Sequence, residues 1–142
     1  MPGVTITPYL MFGGRCDEAL AFYRDALGAE VEMLMRYDQS PEPCPPGTLS
    51  PGFEKKVMHA SFRVLGVPMM ASDGCGEASK SVGCHFSLAV PTEAEARRAF
   101  DALAAGGVVE MPIGKTFWSP SFGMLTDKFG IGWMVNVPGP TG

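Results

Sequence analysis

The chain has 142 residues, 46% hydrophobic and 18% charged, with a formal net charge of −4. That length and balance fit one folded domain with a sizeable core and exclude a disordered chain. Basic residues cluster no further than Lys55-Lys56 and Arg97-Arg98, and no apolar run reaches membrane-spanning length, so neither nucleic acid nor a membrane is an expected partner.

In chain order, Val4 to Phe12 reads as a strand, rich in β-branched and aromatic residues. Asp17 to Leu27 reads as a helix with an apolar stripe of Leu20, Tyr23, Ala26 and Leu27, stopped by Gly28. Strands are predicted over Glu30 to Tyr37, Lys56 to Leu65 and Val67 to Ser72. Between them, residues 39–54 hold five prolines and two glycines, which excludes helix and interior strand. So long a loop suggests a lid, a binding loop or a disordered segment. The second half opens with a strand from His85 to Val90. Thr92 and Glu95 then form a capping box for a helix with buried Ala96, Ala99, Phe100 and Leu103, ended by Gly106. Val108 to Pro112, Phe122 to Asp127 and Ile131 to Val137 complete the strands. The loop at 113–121 carries Phe117 and Trp118.

Four cysteines, Cys16, Cys44, Cys75 and Cys84, form no CxxC pair and match no zinc spacing, so free thiols are expected. The N-terminus lacks the layout of a signal peptide, and the expected location is cytoplasmic.

The chain repeats itself. "RDALGAEVEM" in the first half answers "FDALAAGGVVEM" in the second, at a spacing of about 77 residues. Both give a βαβββ plan, so the expected class is α+β, one domain over 1–142 with modules at 4–73 and 83–137. The Gly-Gly pairs at 13–14 and 106–107 belong to no parallel Rossmann unit, so no S-adenosylmethionine site and no other cofactor is expected.

This plan resembles the vicinal oxygen chelate superfamily of glyoxalase I, extradiol dioxygenases and bleomycin-resistance proteins. The stretches "PYLMFGGRCDEALAFYRDALGAE", "KVMHASFRVLGVPMMASD" and "MPIGKTFWSPSFGMLTDKFGIGWMVN" are similar to its PhnB-like branch, also labelled a 3-demethylubiquinone-9 3-methyltransferase domain. The resemblance implies an open, cup-shaped sheet built from the two modules, and a homodimer. In metal-binding members the ligands come from the first and fourth strands of each half. Carried over by internal symmetry, those positions are Pro8, Met70, His85 and Met134. Only His85 suits zinc, nickel, manganese or iron, so no metal of the glyoxalase type is expected. A shift of one residue would bring Ser72 or Asp73 toward the site. A rearranged centre using His59 and His85 is the metal-bearing alternative.

Strand alternation puts Met58, Ala60, Phe62 and Val64 toward a helix and His59, Ser61 and Arg63 on the other face. Likewise Phe86, Leu88, Trp133 and Val135 pack, leaving His85, Ser87, Met134 and Asn136. His59 and His85 are therefore the candidate acid/base residues. Arg63, Ser61, Ser87, Met70, Trp118, Met134 and Asn136 are the candidate ligand contacts. A small polar or partly aromatic molecule is the expected partner. Three functions compete: metal-independent small-molecule binding or catalysis, metal-dependent lyase, isomerase or dioxygenase chemistry, and drug sequestration.

Overall fold

Cys16, Ala19, Leu20 and Tyr23 recur at helical spacing and are the buried face of helix α1, Cys16–Leu27. The stripe lies nearer the N-terminus than Leu20-to-Leu27 periodicity suggests, because Cys16 and Ala19 are fully buried while Ala26 and Leu27 are only half-buried. Gly28 ends the helix in the left-handed conformation, its N–H bonded to Arg24 O. In helix α2, Glu93–Ala104, the buried residues are Ala96, Ala99, Phe100 and Leu103, as the sequence indicates. Thr92 Oγ1 accepts from Glu95 N at 3.2 Å, which is the forward half of the expected capping box.

The computed structural model describes residues 3, 6–42, 44–78, 85–117 and 119–138. Two compact units divide the chain, Met1–Lys80 and Ser81–Gly142. The first carries strands β1 (Tyr9–Met11), β2 (Glu30–Arg36), β3 (Val57–Val64) and β4 (Val67–Ser72) in the order β1-β4-β3-β2. The second carries β5 (His85–Ala89), β6 (Val108–Gly114), β7 (Ser121–Thr126) and β8 (Gly132–Val137) in the order β5-β8-β7-β6. In each sheet the first and fourth strands pair parallel and the others antiparallel. The class is α+β, two βαβββ units each folded into a four-stranded sheet with one helix.

The first strand is shorter than its sequence suggests. Pro8 has no N–H to give the ladder, and its carbonyl accepts from Met70 N at 2.9 Å just before β1 begins. The Pro-rich stretch is also more ordered than a bare loop. A 3-10 turn at Phe53–Lys55 buries Phe53 and leads into β3. Between β3 and β4 the hairpin turns on Leu65 and Gly66, at φ 52° and 83°, so a leucine occupies a conformation that favours glycine or asparagine.

Packing follows the predicted alternation except at Met58, which is half-buried beside a fully buried Val57 where the β2–β3 register slips between Met35 and Arg36. Ala60, Phe62 and Val64 are buried in β3, and Trp133, Val135 and Val137 in β8. In β7, Gly123 has no Cβ because one there would press on the Phe100 ring of α2 and the Ile113 backbone. Burying a ring such as Phe100 contributes about 1.5–3 kcal/mol. Among the described residues, no helix is long and apolar enough to cross a membrane.

Candidate functional site

The face of each sheet opposite its helix carries the polar side chains. In the first unit, cross-strand pairing aligns Tyr9, Met70, Ser61 and Met33 as one row across β1, β4, β3 and β2. His59 lies beside Met35 in the next row. Tyr9 Oη and His59 Nδ1 are 2.9 Å apart, and the two rings are tilted at 5.5 Å. Burial raises the Tyr9 pKa, so the phenol stays protonated at neutral pH.

In the second unit, Ser87 faces Met134, and His85 faces Gly132. Gly132 in turn pairs with Thr126. A glycine beside His85 leaves the imidazole free to lean across β8. His85 Nε2 meets Glu110 Oε1 at 3.2 Å, and Thr126 Oγ1 donates to the same oxygen at 2.7 Å. The Thr126 hydrogen bond, then the one from His85, holds the Glu110 carboxyl below its ordinary pKa. A carboxylate only accepts, so neutral His85 must carry its proton on Nε2. Its Nδ1 is then left as an acceptor. On the same face Asn136 sits between Ala89 and Phe122. Its Oδ1 is buried and has no hydrogen-bond partner among the described residues.

The register corrects one sequence-based match. Tyr9 pairs with Met70 as Ser87 pairs with Met134. The counterpart of Ser87 is thus Tyr9, and the counterpart of His85 is Thr7 rather than Pro8. The first-to-fourth-strand positions become Tyr9 with Met70 and Ser87 with Met134. A phenol, a hydroxyl and two thioethers do not fit a zinc, nickel, manganese or iron centre. Among the described residues, no group of three or more His, Cys, Asp or Glu comes together.

Other candidates find different places. Arg63 is engaged within its own unit, with Nε 3.3 Å from Glu32 Oε2 and Nη1 donating to Gly66 O at 3.1 Å. Asp73 is fully buried and structural. Its Oδ1 accepts from Gly14 N and Cys16 N, and its Oδ2 from Val57 N. Ser72 is buried and bonds Val57 O and Gly74 N. Asp127 holds the β7–β8 turn and the Trp133 indole, as accepted bonds from Phe129 N, Ile131 N and Trp133 Nε1. Trp118 lies outside the described residues. Phe117, next to it, is 97% exposed.

Sequence reasoning passed over Tyr9 and Glu110. The repeated Val-Glu-Met is the signal that could have found Glu110. In both halves its glutamate falls where the edge-strand register slips, between Val31 and Met33 and between Val109 and Met111. Such a bulge re-aims a side chain.

The sequence model of the 3-demethylubiquinone-9 3-methyltransferase family matches residues 4–136. The chain belongs to this PhnB-like family. It is 41% identical to Protein YjdN of Escherichia coli (strain K12), over 93% of this chain and 94% of that one. The crystal structure of protein PA1353 from Pseudomonas aeruginosa matches at 44% identity and a TM-score of 0.80, covering 96% of this chain and 98% of that one. A Bacillus cereus structure described as a putative 3-demethylubiquinone-9 3-methyltransferase, PhnB protein, matches at 30% and 0.79, covering 94% and 99%. At 12% identity and a TM-score of 0.65, over 99% of this chain and 97% of that one, the fosfomycin resistance protein FosX from Listeria monocytogenes shares the fold. The fold is that of the glyoxalase/bleomycin-resistance proteins in the vicinal oxygen chelate superfamily.

Proposed function

We propose that this PhnB-like protein binds a small, polar or partly aromatic molecule on the faces opposite its helices, without a glyoxalase-type metal. The observation that carries this is the pairing of Tyr9 with Met70 and Ser87 with Met134. Methionine is a weak ligand for hard or borderline ions but an adaptable wall for an organic one.

The two histidines offer different chemistry. When the Tyr9 hydroxyl donates to His59 Nδ1, the ring proton sits on Nε2, which remains as a donor. His85 does the reverse, since Glu110 takes its Nε2–H and leaves Nδ1 as acceptor or base. The orphaned Asn136 oxygen supplies an acceptor whose buried state favours a ligand donor. Ser61 and Met70 shape the wall of the first unit's face, where Arg63 joins only by giving up Glu32, and Ser87 and Met134 shape that of the second. No methyl transfer is assigned to these residues. The Gly14 N–H, which a Gly-rich phosphate or cofactor loop would present, is spent on Asp73. Gly107 is a packing glycine, pressed against Thr126 O.

The working form we propose is a homodimer in the cytoplasm. Edge strand β2 exposes Val31 and Met33, and edge strand β6 exposes Val108, Val109 and Met111, each an apolar edge suited to pairing with a second copy.

The test is a thermal-shift screen of small anions and aromatic metabolites, with hits measured by calorimetry on His85→Ala, Asn136→Ala and Tyr9→Phe. A specific ligand should lose about tenfold or more in affinity on each of the first two substitutions, the cost of one buried hydrogen bond. Equal affinity in all variants would place the ligand elsewhere and sink the proposal. Light scattering of the purified protein checks the dimer; a monomer mass removes it.

A further inference from the structure

Two cysteines lie apart from the site above, one in the Pro-rich segment and one in the segment after β4 that packs against it. Cys44 lines a cavity of about 310 Å³ with Tyr37, Asp38, Pro45, Leu49 and Glu54, inside the Pro-rich segment. The Tyr37 hydroxyl crosses to the segment after β4 and donates to Gly74 O at 2.6 Å. That hydroxyl also neighbours Cys75, and Tyr37 and Cys44 line the cavity together. The same loop is tied to the same segment a second time, since Ser50 N donates to Cys75 O at 2.8 Å. Gly76 has no room for a Cβ against Ser50 Oγ, so the two backbones are in close contact there. Cys75 is exposed and Cys44 half-buried, and both are free thiols.

We propose that Cys44 and Cys75 are a thiol–disulfide switch that locks the Pro-rich loop onto the end of β4. Low-molecular-weight disulfides such as oxidised glutathione are the oxidant. The exposed Cys75 thiolate attacks one sulfur of glutathione disulfide and releases glutathione thiolate. The Cys44 thiolate then attacks the Cys75 sulfur of that mixed disulfide and displaces the second glutathione. The two thiol protons end on the two glutathiones, so the protein is oxidised by two electrons and one glutathione disulfide becomes two glutathiones. Bridging requires Cα atoms about 4.4–6.8 Å apart, so the closing step is a movement of the loop around Tyr37. Cys16 takes no part. It is fully buried, and burial, with Asp73 and Asp17 nearby, pushes its thiol far above the ordinary range.

The experiment uses full-length Cys84→Ser protein titrated with glutathione disulfide, followed by intact mass and non-reducing peptide mapping. The expected product has lost two hydrogens, carries no glutathione and links the Cys44 and Cys75 peptides. The additional Cys44→Ser change should instead trap glutathione on Cys75, and Cys75→Ser should block the reaction at Cys44. Limited proteolysis within 44–54 should slow about tenfold in the oxidised form and recover on reduction. A lasting glutathione adduct on Cys75 with Cys44 still open to alkylation would overturn the proposal. So would a bridge between two chains, or a bridge that leaves proteolysis unchanged.

Discussion

The two units solve the same architectural problem with different chemistry. Each must cap the helix that follows its first strand. The second unit does so locally, with Thr92 three residues before the N–H it accepts. The first has Arg15 at that place, with no side-chain cap. Asp73, from the far end of β4, reaches back to Gly14 N and Cys16 N and also ties down Val57 N, the start of β3. The second unit places its buried aspartate at the β7–β8 turn instead. The edge-strand glutamates diverge likewise. Glu32 pairs with Arg63, whereas Glu110 bonds Thr126 and His85. Repetition of a fold therefore fixes where a carboxylate is aimed, while the partner it meets decides whether it braces the sheet or orients a histidine.

The sharpest way to break this comparison is Asp73→Ala. It strands two buried N–H groups and one half-buried one at once, so urea unfolding should show a loss of about 3–5 kcal/mol, with Cys16 becoming reactive to thiol reagents. A loss below about 1 kcal/mol would mean that water replaces the cap and that the two units are not differently built. Asp127→Ala comes next, at about 2–4 kcal/mol, with a change in the environment of Trp133 read by fluorescence.

A third test uses pH. Burial holds the folded Cys16 thiol's pKa well above its ordinary value. Its stabilising contribution is present below the unfolded pKa and is lost as pH rises through the folded one. Above about pH 9 the unfolded chain sheds a proton that the folded chain keeps, so stability should fall by about 1 kcal/mol per pH unit. Cys16→Ala should flatten that slope in urea titrations; an unchanged slope would assign it elsewhere. Thr92→Ala should cost about 1 kcal/mol, well below Asp73→Ala. Smallest is Glu110→Ala, which should leave stability essentially unchanged at its exposed position. Its effect should lie in the His85 imidazole nitrogen shifts, where the Nε2-protonated tautomer loses its preference.

What was legible in the sequence was whatever is local or periodic. Alternation placed His59, Ser61 and Arg63 opposite Ala60 and Phe62, and 3.6-residue spacing found the buried face of α2. The rest depends on partners far away in the chain. A period of two says which face a residue takes, but not which residue it meets on the next strand. That is why Pro8 stood where Tyr9 belongs, and why Tyr9 and His59 were not seen as a pair. The capping role of Asp73 had no local motif, unlike that of Thr92. Glu110 was visible only as one letter of a repeat, because a bulge shows in register and not in hydropathy.

The central claim is that the first- and fourth-strand positions, Tyr9 with Met70 and Ser87 with Met134, hold no glyoxalase-type metal. The most direct measurement is elemental analysis of the purified protein, joined to thermal unfolding of metal-stripped protein against zinc, nickel, manganese and iron(II). A metal that binds only the folded state at a hundredfold excess over its dissociation constant would add about 2.7 kcal/mol of stability. The account predicts substoichiometric metal and no specific rise in melting temperature. One bound metal per chain with a clear rise, lost on His85→Ala or Tyr9→Phe, would contradict it.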